Sequence, residues 1–412
     1  MNITQDRPQS LNTAAPSTAG ALLPARRRLW LALILGSLSA LGALSIDMYL
    51  PAMPGMSRQL HASGPVIQLT LTVFVIGLAA GQVLAGPLSD TWGRRRPLLA
   101  GMALYVAGSA WCALAPDASQ LIAARVVQSL GAAAAAVLAR AIVRDLYEGT
   151  AMTRFFSTLM LVNGAAPVVA PVIGGQLLTV ATWRAVFIVL AGAGAVLLLA
   201  VVIALPESLP VPRRQPARLH NMVRSLAGLA LDWGYLRYVL AAALMFAAVF
   251  AYISGSSFVL QQAYGLSAQQ FSLIFAANGL GLVLLGQLSG FLAGRVGTDT
   301  LLRVSLSVAS LSGLGVLVCA ALGLPLLLLL ACLFVVTSML GVVLPSATSL
   351  AMAGHSSAAG AASSLQGLLQ FLVGGLAASA MGLAGQGTAV PMGATMFLCA
   401  TAALTILVIH RH

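Results

Sequence analysis

The chain contains no lysine: every one of its 21 basic residues is an arginine, and only nine residues are acidic. Charged residues make up 7% of the 412 positions, far below the roughly 25% of soluble domains, which excludes an ordinary water-soluble fold. The four cysteines, Cys112, Cys319, Cys332 and Cys399, lie inside apolar runs and form no C-x-x-C pair. A disulfide scaffold or a zinc site is therefore not expected, and the thiols read as small buried hydrophobes. The five histidines (His61, His220, His355, His410, His412) fall in loops or the tail with no ligand spacing and no base–nucleophile pairing. No metal, no cofactor and no catalytic residue is expected. A G-x-x-x-x-G-K-[ST] phosphate loop is also missing, which counts against the use of ATP.

What the chain has is hydrocarbon. Hydrophobic residues make up 59% of it and the mean hydropathy is +0.97. Apolar runs long enough to cross a bilayer as helices recur at 29–50, 66–86, 98–115, 120–143, 157–180, 184–205, 238–261, 270–293, 301–322, 325–350, 362–384 and 391–409. The expectation is an all-α integral membrane protein of twelve spans. The longest polar interruption, 206–237, divides them into bundles of six at 29–205 and 238–409, preceded by a polar tail at 1–28. That tail ends in Arg26-Arg27-Arg28 like the n-region of a signal peptide, but the run behind it is long and many spans follow, so an uncleaved first helix is expected.

With the N-terminus placed in the cytoplasm, 18 of the 21 arginines fall on the cytoplasmic side, Arg58 and Arg184 on the other, and Arg125 within a span. This asymmetry sets the orientation by the positive-inside rule and also accounts for the net charge of +12 without nucleic acid. The halves echo one another: Gly86-Pro87-Leu88-Ser89-Asp90 near the end of the second span returns as Gly286-Gln287-Leu288-Ser289-Gly290 near the end of the eighth, 200 positions later. Paired halves of this kind suggest a repeat transporter with its site between the halves near the midplane.

Asp47 is the one acid placed inside a span; the other eight fall in termini, loops or helix ends. A lone carboxylate in hydrocarbon is costly unless it is paired, protonated or facing a wet cavity, so it is a functional candidate by default. Arg125, an intramembrane cation charged at any physiological pH, is the second candidate and the expected counter-charge. Since the second half has no charge within a span, any proton machinery is expected in residues 1–205.

Six segments carry a resemblance. Gly86-Pro87-Leu88-Ser89-Asp90-Thr91-Trp92-Gly93-Arg94-Arg95-Arg96 resembles the G-x-x-x-D-[RK]-x-G-R-[RK] loop of the major facilitator superfamily, with Thr91 where a basic residue is usual. Asp47-Met48-Tyr49-Leu50-Pro51-Ala52-Met53-Pro54, together with Gln68-Leu69-Thr70-Leu71-Thr72 and Arg140 to Tyr147, is similar to the Bcr/CflA family of drug:proton antiporters. Leu121 to Gly131, containing Arg125 and Gln128, is similar to the antiporter element L-x-x-R-x-x-Q-G-x-G, with Ser129 for its first glycine. Asn163 to Gly175, with Pro167, Pro171, Gly174 and Gly175, resembles G-x-x-x-G-P-x-x-G-G, with Ala166 and Ala170 at the first two glycines.

The resemblance implies a bacterial inner-membrane exporter with cytoplasmic termini, functional as a monomer, whose partners are protons, lipid and a small drug of the chloramphenicol, bicyclomycin or sulfonamide kind. Asp47 and Arg125 would couple protons, and Gly86, Asp90, Gly93, Arg94 and Arg95 would form a cytoplasmic gate. Tyr49, Gln68, Thr72, Gln128, Tyr252, Gln366 and Gln370 are candidates to line the cavity, with ordinary packing as the competing reading for each. Gly36, Ala40, Ala43 and Asp47 share one helix face, which suits a cavity and a helix seam equally. The alternative function is a proton-coupled importer of a small metabolite on the same fold.

Overall fold

The computed structural model describes residues 25–147, 149–214, 226–353, 359–383 and 388–409. Residues 1–24 of the tail expected at 1–28 and residues 215–225 of the central loop 206–237 lie outside these residues, as do Arg7, Arg218, Arg224, Arg411 and all the histidines except His61. Among the described residues all regular structure is helical, and twelve of the helices are long and apolar enough to cross a membrane.

The helices run α1 (Ala25–Asp47), α2 (Met53–Gln59), α3 (Gly64–Trp92), α4 (Arg95–Leu114), α5 (Ala118–Leu146), α6 (Gly149–Val180) and α7 (Arg184–Ala204) in the first half. The second half holds α8 (Trp233–Phe258), α9 (Ala268–Val296), α10 (Thr298–Leu322), α11 (Leu326–Met352), α12 (Ala359–Leu383) and α13 (Val390–Ile409). The first span combines α1, a 3-10 turn at Leu50–Ala52 and α2; the seventh combines α8 with a π-turn at Val259–Ala263.

Local chemistry explains where the helices begin and end. Asp117 caps α5 by accepting the Gln120 N–H at 2.9 Å, and Asp232 does the same for α8 through Tyr235. Ser267 and Gln270 form a reciprocal capping box at the start of α9. Helix α1 stops at Asp47 because Pro51 has no N–H to give the Asp47 carbonyl. Gly93 and Gly297 end α3 and α9 at φ +86° and +82°, a region that favours glycine.

Within the first half, α5 packs between α3 and α4, and α1 packs on α6 and α5. In the second half, α8 packs on α12, α13 and α11, while α10 packs on α11 and α13. Two seams, α3 against α12 and α6 against α9, join the halves. The sequence echo is also structural: Ser89 Oγ donates to the Gly86 carbonyl and Ser289 Oγ to the Gly286 carbonyl, both at 2.7 Å.

The arginine-poor end of the molecule is closed. Cross-half hydrogen bonds among the described residues join Gln68 to the Ser254 carbonyl, Ser257 to Leu50, Gln261 to Pro51, Gln269 to Gly175 and Ser379 to Thr72. All lie toward that end. At the arginine-rich end, Gly86, Gly290 and Gly294 face open space.

Candidate functional site

Arg125 is enclosed within the first half. Its guanidinium donates to the Ser45 carbonyl at 3.0 Å, to Gln128 Oε1 at 2.8 Å and to the Thr70 carbonyl at 3.4 Å. Its remaining faces meet aromatic rings, with Phe74 at 4.0 Å, Tyr49 at 4.5 Å and Phe187 at 5.8 Å from the guanidinium carbon. Carbonyl dipoles and ring quadrupoles thus stand in for a counter-ion. One nitrogen, Nη2, has no hydrogen-bond partner of good geometry among the described residues. Two cavity candidates belong to this cage: Tyr49, whose hydroxyl is 3.3 Å from Thr70 Oγ1, and Gln128, which donates to Ser109 Oγ at 2.8 Å. Both are fully buried in the first half rather than set on a cavity wall.

The expected Asp47–Arg125 pair does not form. Asp47 is 5% exposed and has no hydrogen bond or ion pair among the described residues. The reason is rotational. Ser45 faces α4 and α5, with its hydroxyl 2.8 Å from that of Tyr105 and its carbonyl on Arg125. Two residues further along a helix the side chain has turned by about 200°, which directs Asp47 away from this cage.

In the second half, Tyr252 lies within electrostatic range of Asp47. Tyr252 is buried, stacks on Phe275 with ring centroids 5.4 Å apart, and accepts a 2.7 Å hydrogen bond from Asn278 Nδ2.

Around Asp47 the halves meet closely. Gly174 brings its Cα against the Met48 carbonyl, and Gly175 sits against Ser272 of α9. A Cβ on Gly279 would lie 3.1 Å from the Pro167 carbonyl, so the proline/glycine element of α6 lies at the junction of span 1 and α9. Pro171 lies inside α6 in the same element. Gly36 packs on Val162 of α6, which makes the small-residue face of α1 a helix seam at that level. Gln68 is buried with its amide on the Ser254 carbonyl of α8, and Thr72 is buried at the α3–α12 seam beside Ser379. A cavity with room for about one water lies beside Gln68, Met381 and Met392. Gln366 Nε2 donates to Thr348 at 2.6 Å, its Oε1 has no partner among the described residues, and Gln370 is half-buried on the same helix.

The arginine-rich loop forms a third cluster, with Arg94 as its hub. Arg94 donates to Asp90 at 2.5 Å, to Ser89 at 2.6 Å and to Asp145 at 2.9 Å. Glu207, from the segment after α7, accepts the backbone N–H groups of Arg94 at 2.7 Å and Arg95 at 3.2 Å, and so caps the start of α4. Partial burial opposes its charge, but the N–H groups of Leu209, Arg94 and Arg95 and the nearby Arg214 outweigh that effect and hold its carboxyl below the usual carboxylate range. Gly93 fits because a side chain there would strike Glu207 and Arg214. Arg95 turns instead to the Val202 carbonyl at 2.7 Å. The loop pairs within its own half and the segment that follows it. Asp145 belongs to the family-like segment Arg140 to Tyr147, whereas Glu207 carries no expected role in the sequence; each lies in a short polar stretch next to a span end, the signal available for such partners.

Comparison with known proteins agrees with this architecture. A family model described as Major Facilitator Superfamily matches residues 26–378. The uncharacterized MFS-type transporter YdgK of Bacillus subtilis is 40% identical over 377 residues, covering 91% of this chain and 94% of that protein. The bicyclomycin resistance protein homolog of Haemophilus influenzae is 32% identical over 370 residues, covering 89% and 92%. Among solved structures, a D-xylose-proton symporter superposes with a TM-score of 0.73 at 15% identity, covering 92% of this chain and 97% of that one, a likeness of fold alone. Two six-helix halves joined along paired seams define a multi-pass membrane transporter and not an enzyme. The chain belongs to the Major Facilitator Superfamily, and within it to the Bcr/CflA type.

Proposed function

We propose that this chain exports small drug-like molecules in exchange for protons, across a bacterial inner membrane, with both termini in the cytoplasm. The bicyclomycin-resistance name of its Haemophilus influenzae relative supports drug export. The arginine count supports the orientation. One chain carries both halves, so a monomer can contain the whole pathway.

The observation that carries the coupling is Asp47, buried at the junction of the halves with no partner among the described residues. An unpaired carboxylate in so dry a position is not tolerated as an anion. Closure of the arginine-poor face and protonation of Asp47 therefore go together. Joined by hydrogen bonds at the arginine-poor side, the described conformation fits the limb that delivers a proton to the cytoplasm. Drug entering from that side would be matched by release of the proton. After the halves rock, water reaching Asp47 from outside would reload it as the drug departs. The proton gradient supplies the drive: an elementary charge crossing the membrane gains about 2.3 kcal/mol per 100 mV.

The test is drug accumulation in inside-out vesicles under an imposed pH gradient. Asp47→Asn is expected to abolish uphill transport while leaving downhill exchange. Wild-type uphill transport by that variant would remove Asp47 as the carrier. Substrate movement in the same direction as the proton would point instead to import. A panel of phenicols, bicyclomycin and sulfonamides in a pump-deleted host identifies the drug.

A further inference from the structure

The two prolines that follow α1, Pro51 and Pro54, leave backbone carbonyls available to other partners. Four residues after Leu50 stands Pro54, which has no N–H to return to the Leu50 carbonyl in helical register. That carbonyl takes the Met53 N–H in a 3-10 turn and keeps a second lone pair. Ser257 Oγ of α8, fully buried, donates to it at 2.5 Å. Gln261 Nε2 donates both to the Pro51 carbonyl at 3.2 Å and to Ser257 Oγ at 2.9 Å. Two side chains of the second half thus clasp the turn that begins three residues beyond Asp47.

Gln261 does not sit on regular helix. It lies in the π-turn Val259–Ala263, closed by the Tyr264 N–H on the Val259 carbonyl at 3.2 Å. Such turns relax helical hydrogen bonding and are frequently found at functional sites. Here the π-turn lies at the arginine-poor end, where the halves are closed.

We infer that Ser257 and Gln261 are positioning residues of the transport cycle: they tie the turn that carries Asp47 to the second half, and their release opens the arginine-poor face. Their coupling role rests on the proposed antiport; the clasp itself can be tested without any drug.

A reporter cysteine at the seam, Ser272→Cys in a background lacking the four native cysteines, reads the opening. Impermeant maleimide is added separately to intact cells and to inside-out vesicles. In Ser257→Ala/Gln261→Ala, labelling from the arginine-poor side is expected to rise about tenfold, the scale of one or two neutral hydrogen bonds. Ser257→Thr, which keeps the hydroxyl, should restore slow labelling. Unchanged labelling in the double variant overturns the clasp; should that variant fail to reach the membrane, Gln261→Ala alone is held to the same outcome. For coupling, the maximal rate of proton-driven export should fall several-fold with little change in KM, and faster labelling with an unchanged maximal rate refutes that role. Uphill transport by Asp47→Asn in the same vesicles would instead remove the antiport reading and leave the labelling result standing.

Discussion

Asp47 and Arg125 stand on neighbouring helices and yet do not meet. Arg125 spends its donors on the Ser45 and Thr70 carbonyls and on Gln128, and lies flat against Phe74. A lysine keeps the charge but neither the fork nor the stacking plane. Arg125→Lys is therefore expected to lower the melting temperature of the purified protein by several degrees, whereas Asp47→Asn, which removes an unpaired buried acid, should leave it unchanged or raise it. Gly174→Ala should cost more than a typical surface change, because its Cβ would meet the Met48 backbone, which cannot swing aside. Gly192→Ala, where the added carbon meets nothing within 4 Å, is the control; yields of folded protein compare the two. Both charged residues were legible in the sequence because charges in apolar runs stand out. Their separation was not, since it depends on the rotation of α1 about its own axis, which a residue spacing leaves undetermined.

At the scale of elements, the twelve spans were readable because about 20 apolar residues are needed to cross a bilayer and nothing else demands them. The π-turn at Val259–Ala263 was not readable: Val259-Leu260-Gln261-Gln262-Ala263 contains no proline or glycine to announce a break. The capping of α4 by Glu207 was equally hidden, since it joins positions 112 and 113 residues apart. Glu207→Gln tests it. The carboxyl is held below its usual range in the folded protein, so its stabilisation is present above the ordinary carboxylate pKa and lost as pH falls through the lowered one. Thermal melts in detergent should show the variant a few degrees less stable at neutral pH, with the gap closing under acid conditions. A gap that persists at low pH would mean that the charge is not what stabilises the loop.

For the molecule as a whole, the seams α3–α12 and α6–α9 hold the halves together while the described cross-half hydrogen bonds gather at one end. This arrangement predicts sided access. A cysteine replacing Gly290, which faces open space, should react with impermeant maleimide in inside-out vesicles and stay silent in intact cells; the reverse pattern would invert the assigned orientation. The caged guanidinium has a last consequence. Because Arg125 is neutralised by dipoles and rings rather than by an anion, the first half carries a permanent positive charge whatever the state of Asp47. When that half rocks, the charge moves through part of the membrane's electric field, so the resting voltage itself biases which face is open.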